Sequence, residues 1–169
     1  MLTMEIRPAI ADDAAGICSI YNHYVATTTI SFEEEAVADA DMAERIRNVN
    51  DAGLPWLVAV ADGKVVGYAY ATRWRVRPAY RHSVESSVYL GREAIGHGVG
   101  ASLYRQLIDE LRTRGLRTVI AGIAQPNARS VALHERLGFR KVAHFGEVGF
   151  KFDQWIDVGY WQLSLADWP

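Results

Sequence analysis

The spacing of apolar residues along the chain predicts strands alternating with helices. Two segments show the i, i+3, i+4, i+7 spacing of a helix with one buried face; they are formed by Ile17, Ile20, Tyr21 and Tyr24, and by Val99, Leu103, Tyr104, Leu107, Ile108 and Leu111. The segments PWLVAVADGKVVGYAYA and SVESSVYL are rich in β-forming residues. Asp62-Gly63 suits the tight turn of a hairpin, and Gly115 suits the end of the second helix.

The remaining patterns complete the predicted order β-α-α-β-β-β-α-β-α-β-β. A further helix is predicted over residues 39–50, and a shorter one begins after Asn127, whose side chain suits an N-cap. The other strands are predicted in EIRPA, RTVIAGIA, RKVAHFGEVG and WIDVGYWQLSL. Hairpins interleaved with helices favour a mixed α/β sheet over a purely parallel one. Because the chain shows no repeat or linker, we expect one domain spanning residues 1–169.

Composition excludes several classes of protein. Half of the residues are hydrophobic and 22% are charged, which favours a globular protein over a disordered one. The net charge of −2 gives no electrostatic basis for binding nucleic acid. Neither a membrane-spanning apolar run nor a secretory signal is recognisable, so we expect a cytoplasmic protein with no membrane partner. Cys18 is the only cysteine, and its helical pattern favours a buried apolar role over a reactive thiol.

The segment GREAIGHGVGASLY places four glycines between a predicted strand and a predicted helix. Their spacing does not match the dinucleotide-binding fingerprint, and Ala101-Ser102 follows Gly100 where a P-loop requires Lys-Ser/Thr. Free backbone N–H groups and the positive end of the helix dipole converge at such a loop. We therefore expect an anionic ligand there, with a pyrophosphate as the hypothesis. A structural role of the glycines in a tight turn is the alternative.

A second motif, NARSVALHERLGF, begins 27 residues after Gly100. Together with the glycine loop it resembles the GCN5-related N-acetyltransferase (GNAT) superfamily, whose motif is Gln/Arg-x-x-Gly-x-Gly/Ala. The matching residues are Ile95 to Gly100, with Ile95 at the position that is usually Gln or Arg. Five blocks resemble the phosphinothricin and methionine sulfoximine N-acetyltransferases in particular, over about residues 5–165: IYNHYVATTTISFEEE, WRVRPAY, ESSVYL, LHERLGF and WIDVGYWQL.

This resemblance implies a fold and a cosubstrate. The fold is a mixed, mostly antiparallel sheet of about seven strands flanked by about four helices, and the cosubstrate is acetyl-CoA, without a metal. The glycine loop and the start of its helix would hold the pyrophosphate through Ile95, Gly96, His97, Gly98, Val99, Gly100, Ala101 and Ser102. The backbone of Val88, Tyr89 and Leu90 would pair with the pantetheine arm. Asn127 and Ser130 would bond pantetheine and phosphate groups, with helix capping as the alternative role of Asn127.

Acetyl transfer to an amine requires a base, because an α-amine is mostly ammonium at neutral pH. Glu85 lies at the start of a strand otherwise suited to burial, and a buried carboxylate tends to have a raised pKa. The resemblance makes Glu85 the catalytic base; a solvated carboxylate on an edge strand is the alternative. The resemblance also implies that His134 protonates the leaving thiolate or positions a water shared with Glu85. A purely structural histidine is the alternative.

The segment RWRVRPAYRH concentrates arginine next to aromatic residues. We expect Arg75 and Arg77 to lie in a strand and to point to the same face. The resemblance implies that both arginines, with Tyr80 nearby, bind the acidic group of an amino-acid substrate through forked hydrogen bonds. It also places Phe32 in the substrate pocket. The alternatives are a solvated basic loop for the arginines and a core anchor for Phe32.

The resulting hypothesis is an enzyme that acetylates the α-amine of a small acidic amino-acid analogue, of the phosphinothricin or methionine sulfoximine and sulfone type, and so detoxifies it. The resemblance also implies a homodimer, for which the aromatic segment FKFDQWIDVGYWQL could line the contact or close the pocket. Two other functions stay open. One is an acetyltransferase for another amine, such as a protein N-terminus or a polyamine. The other is a non-catalytic acyl-CoA-binding module.

Overall fold

The computed structural model describes residues 4–169, which form seven strands and four α-helices in the predicted order. The helices are α1 (Ala14–Thr27), α2 (Asp39–Asp51), α3 (Val99–Thr113) and α4 (Ala128–Arg136). The strands are β1 (Met4–Pro8), β2 (Trp56–Ala61), β3 (Lys64–Arg73), β4 (Ser83–Leu90), β5 (Thr118–Ala124), β6 (Arg140–Lys151) and β7 (Gln154–Ser164).

Local turn chemistry confirms three of the predicted boundaries. Asp62 and Gly63 have φ values of 49° and 73°, as the turn between β2 and β3 requires. Gly115 has a φ of 79° and ends α3, while the Leu116 N–H donates to the Leu111 carbonyl, a bond pattern typical of helix C-termini. The Asn127 side chain accepts a hydrogen bond from the Ser130 N–H at 3.2 Å and so caps α4.

The strands form one sheet in the order β1-β2-β3-β4-β5-β7-β6. All neighbouring strands are antiparallel except β4 and β5, which are parallel. The predicted mixed, mostly antiparallel sheet is therefore confirmed. Tyr89 on β4 packs against Tyr21 of α1, whereas Ser86 on β4 bonds Tyr104 of α3. Because residues an odd number of positions apart face opposite sides of a strand, α1 and α3 cover opposite faces of the sheet.

The predicted apolar face of α3 is buried in the core between this helix and the sheet. Five of its residues have no exposed surface, namely Leu103, Tyr104, Leu107, Ile108 and Leu111. Burying a side chain of this size contributes about 1.5–3 kcal/mol each relative to leaving it in water. This packing fixes the start of α3, and with it the glycine loop that precedes the helix, against the edge of β4.

Candidate active site

The parallel strands β4 and β5 separate halfway along their length. They pair only from Ser83 to Glu85 on β4 and from Thr118 to Ile120 on β5. Beyond Glu85, the two strands diverge around a small cavity of about 60 Å³ that is lined by Ser86–Tyr89 and Ala121–Ala124 among others. The backbone of β4 after Glu85 is therefore left without a strand partner on this side, and its polar groups can bond a ligand.

A larger cavity of about 590 Å³ continues from this opening to the glycine loop. Gly98 directly precedes α3 and has a φ of 79°, and Gly96 has a φ of 87°. Residues other than glycine rarely adopt such positive φ values. A Cβ atom on Gly100 would lie 3.2 Å from Cδ1 of Leu90, so the glycine also allows the close packing of α3 on β4. The start of α3 thus presents free N–H groups to the cavity.

Most of the predicted cofactor-binding residues line this cavity, namely Val88, Tyr89, Leu90, Ile95, Gly96, Gly98, Gly100, Ala101, Asn127 and Ser130. The other three do not. Val99 is turned into the core and buried, because it belongs to the apolar face of α3. His97 and Ser102 are exposed and are not part of the cavity wall. The side chain of Ile95 lines the cavity although it departs from the motif.

Two arginine side chains that were not predicted from the sequence also line the cavity. Arg129 and Arg136 lie on its wall, seven residues apart on α4. This i, i+7 spacing places both guanidinium groups on one face of the helix, and the spacing was visible in the NARSVALHERLGF motif. A long, partly apolar cavity with free N–H groups at one end and cations on its wall fits a molecule such as acetyl-CoA, which carries a pantetheine arm and phosphates.

Glu85 is the last β4 residue paired with β5, and its carboxyl group is half-buried beside the opening. Burial raises the pKa of Glu85, and the positive charge of Arg75 opposes this rise. Thr72 lies opposite Glu85 on β3. A carboxylate with a raised pKa at the edge of a ligand cavity is suited to accept a proton near neutral pH.

The prediction that Arg75 and Arg77 lie in a strand is wrong. β3 ends at Arg73, which pairs with Val84, and β4 begins only at Ser83. The residues between these strands have no partner strand, and Pro78–Tyr80 form a short 3-10 turn. Both arginines and Tyr80 are therefore exposed in a loop, and strand alternation does not determine where their side chains point.

Arg75 is nevertheless held beside Glu85 by aromatic residues. Its guanidinium carbon lies 5.1 Å from the centre of the Trp74 ring, a distance at which a cation is attracted to the ring. Trp74 in turn contacts Tyr160 of β7, and Tyr160 contacts Phe145 of β6, both edge to face. Nothing in the sequence links Trp74 and Tyr160, because the two residues meet only after β5 and β7 have paired.

His134 is buried, with 4% of its surface exposed, and lines the small cavity between β4 and β5. Its Nδ1–H donates to the Ser130 carbonyl at 2.7 Å, so the neutral ring has a free acceptor at Nε2. Tyr104 occupies this acceptor, since its Oη lies 2.9 Å from Nε2. Ser86 then donates to the Tyr104 oxygen. Burial lowers the pKa of His134, which keeps the ring neutral.

Phe32 lies in the loop between α1 and α2, with 44% of its surface exposed. Its ring packs on the backbone of Gly149 in β6. Ile30 of the same loop lines both the large cavity and the small cavity between the strands. The loop between α1 and α2 therefore borders the ligand cavities through Ile30, whereas Phe32 lies against β6.

Two further features concern ligands and membranes. Within residues 4–169, His, Cys, Asp and Glu side chains do not gather in a group of three or more that could hold a metal ion. None of the helices in this part of the chain combines the length and the apolar character needed to cross a membrane.

Comparison with known proteins agrees with this geometry. The family model of the acetyltransferase (GNAT) domain matches residues 6–159. A phosphinothricin N-acetyltransferase from Alcaligenes faecalis is 45% identical over 161 residues, which cover 95% of this chain and 82% of the relative. An L-methionine sulfoximine/L-methionine sulfone acetyltransferase from Salmonella typhimurium is 38% identical over 164 residues, covering 97% and 96%.

A solved structure resembles this chain in both sequence and fold. The GNAT superfamily phosphinothricin acetyltransferase from Sinorhizobium meliloti, in complex with acetyl-CoA, matches with a TM-score of 0.92 and 37% identity, over 96% of this chain and 88% of that one. The fold and the acetyl-CoA cosubstrate predicted from the sequence agree with these relatives. The chain belongs to the GNAT family of acetyltransferases.

Proposed function

We propose that this acyltransferase moves the acetyl group of acetyl-CoA to the α-amine of a small acidic amino-acid analogue, of the phosphinothricin or methionine sulfoximine and sulfone type. The observation that carries the proposal is the position of Glu85. This half-buried carboxylate lies where β4 and β5 separate, beside the cationic Arg75 and directly before Ser86, which lines the small cavity between the two strands. Residues 1–169 would act as one domain, and acetylation of the amine would detoxify the analogue.

In this proposal Glu85 accepts a proton from the substrate ammonium, directly or through a water. The free amine then attacks the thioester carbonyl, and a backbone N–H of Val88, Tyr89 or Leu90 donates to the carbonyl oxygen as negative charge develops there. The raised pKa of Glu85 brings its basicity closer to that of the amine and so favours proton transfer.

His134 would serve the reaction through Tyr104 and Ser86. Both ring nitrogens are already bonded inside the protein, so we propose that the ring does not contact the thiolate directly. Because His134 accepts at Nε2, the hydroxyl protons of Tyr104 and Ser86 both point toward the ring, and the chain holds Ser86 in place at the wall of the small cavity. The leaving thiolate would take its proton from a water.

Substrate recognition would depend on the loop between β3 and β4 and on the loop between α1 and α2. The guanidinium groups of Arg75 and Arg77 suit the carboxylate and the phosphinate or sulfone oxygens of such substrates. Tyr80 would add a hydrogen bond, and Phe32 would cover the apolar part of the substrate. The exposure of all four side chains leaves them free to contact a ligand.

We further propose a cytoplasmic homodimer. The hairpin of β6 and β7 carries apolar side chains that are each more than half exposed, namely Phe145, Val148, Phe150, Phe152 and Trp155. Five exposed apolar side chains on one hairpin, two of which (Phe150 and Trp155) are in contact, favour a protein interface. Sedimentation of Trp155→Glu should give a monomer where the unchanged chain gives a dimer. Equal sedimentation coefficients would contradict the dimer.

The substrate is tested by measuring thiol release from acetyl-CoA with phosphinothricin, methionine sulfoximine, methionine sulfone and a polyamine as acceptors. The first three should be acetylated, and the polyamine should not, because two exposed arginines repel a polycation. Faster release with the polyamine would favour an acetyltransferase for another amine. Tight acetyl-CoA binding without thiol release for any acceptor would favour a non-catalytic module.

A further inference from the structure

Lys151, the last residue of β6, is buried although it carries a charge, with 1% of its surface exposed. Its Nζ donates to the backbone carbonyls of Val25 at 2.8 Å and of Ser31 at 2.7 Å. Buried lysines are rare unless their charge is bonded. Here both acceptors belong to one stretch of chain, which runs from the end of α1 into the loop that carries Ile30 and Phe32.

The first of these bonds stabilises the end of α1. Val25 lies in the last turn of this helix, where backbone carbonyls have no partner within the helix and carry a partial negative charge. Burial lowers the pKa of Lys151, and the carboxylates of Glu34 and Glu33 oppose this shift by favouring the charged form. The two carbonyls and the two carboxylates thus partly compensate the cost of burying the ammonium group.

The same end of β6 holds the loop at a second point. A Cβ atom on Gly149 would lie 2.5 Å from two ring carbons of Phe32, so the ring rests directly on the glycine backbone. From the other side, Tyr21 bonds the buried Ser31 hydroxyl at 2.9 Å, and Arg45 forms two hydrogen bonds to Glu33. Residues 31–33 are thus held between β6 and the two helices.

We propose that Lys151, together with Gly149, is a positioning element that fixes the loop between α1 and α2 over the active site. With Lys151 in place, Ser31 is held inward, and its neighbours Ile30 and Phe32 point outward to the cofactor cavity and to the substrate side. The part of this proposal that concerns Phe32 extends the proposed function and rests on it. The contact of Ile30 with the cofactor cavity stands independently of the acceptor's identity.

The test compares Lys151→Met with Lys141→Met, which removes an exposed lysine from the same strand. Lys151→Met should make the backbone amides of residues 27–37 exchange with deuterium at least about tenfold faster, since two buried carbonyls lose their donor. It should also weaken acetyl-CoA binding and raise KM for the amino-acid acceptor more than it lowers kcat. Lys141→Met should match the unchanged protein in all three measurements.

Unchanged exchange over residues 27–37 and an unchanged Kd for acetyl-CoA in folded Lys151→Met would overturn the proposal. If this variant does not fold, Gly149→Ala takes its place, because the added methyl group displaces the Phe32 ring. Deuterium exchange over residues 27–37 and the Kd for acetyl-CoA then test the proposal in the same way. Failure of the proposed function gives a separate result: the unchanged protein would acetylate no acidic amino acid, while exchange and acetyl-CoA binding would still report on Lys151.

Discussion

The phenolic oxygen of Tyr104 lies 2.9 Å from Nε2 of His134, and both side chains are buried. Since the other ring nitrogen donates to the Ser130 carbonyl, Tyr104 must donate to Nε2 and accept from Ser86. Two hydrogen bonds through Tyr104 of α3 therefore join the cofactor-binding helix α4 to β4, the strand that carries Glu85.

Tyr104→Phe should remove the donor and leave a buried acceptor unpaired. We expect the free energy of unfolding to fall by about 1–3 kcal/mol and kcat to fall, while the Kd for acetyl-CoA stays the same. Denaturant unfolding and steady-state kinetics measure the two effects. Ser86→Ala interrupts the chain one link further on and should lower kcat with a smaller loss of stability. Wild-type kcat in both variants would exclude a role of this network in turnover.

His134 should make the protein less stable in acid. Its pKa is lowered in the folded state, so below about pH 6.5, the ordinary value of histidine, the unfolded chain binds the proton more readily. The free energy of unfolding should therefore decrease as the pH falls through this value. His134→Gln should make the pH dependence between pH 7 and 5 less steep. An unchanged slope in denaturant titrations would show that His134 is not buried in its neutral form.

Glu85→Gln should lower kcat by about 100-fold or more, as expected for loss of a general base, with acetyl-CoA binding nearly unchanged. Glu44→Gln on the exposed side of α2 is the matched control and should have wild-type kinetics. Because the pKa of Glu85 is raised, the rate of the unchanged enzyme should begin to fall at a higher pH than the ordinary glutamate value as the carboxylate becomes protonated. A full rate in Glu85→Gln would refute the base assignment.

Arg75 and Arg77 should differ in their effect on the pH profile. Arg75→Gln removes the charge that lowers the pKa of Glu85, so the acid limb of kcat should move to higher pH and KM for an acidic acceptor should rise. Arg77→Gln should raise KM while leaving the acid limb in place. Profiles of kcat and KM against pH for both variants make the comparison. Equal acid limbs would mean that Arg75 does not act on Glu85.

Gly98→Ala and Gly115→Ala form a matched pair, because both glycines have a φ of 79° and stand at the two ends of α3. A Cβ atom would meet nothing within 4 Å at either position. Each substitution should lower the free energy of unfolding by about 1–2 kcal/mol through backbone strain. Calorimetry should find weaker acetyl-CoA binding for Gly98→Ala alone. Equal Kd values for acetyl-CoA in the two variants would show that the glycine loop does not bind the cofactor.

The helices, the strands and the glycine loop were predictable from the order of residues alone. Local interactions within a few residues determine the apolar period of α3, the Asp62-Gly63 turn and the Asn127 cap. These features can therefore be predicted without knowledge of the fold. The resemblance carried by five short blocks added the family. The error about Arg75 and Arg77 has a physical reason: their segment contains β-forming residues, but a strand ends where its partner ends, and β4 starts only at Ser83.

The construction of the site depends on contacts between elements that are distant in the chain. β5 pairs with β7 along its whole length but with β4 for only three residues, so the opening between β4 and β5 exists only in the assembled sheet. Lys151 meets Val25 across 126 positions of the chain, and Tyr104 meets His134 across 30. No local period encodes such contacts, because they arise when the sheet brings distant strands and helices together and each buried polar group must find a partner there.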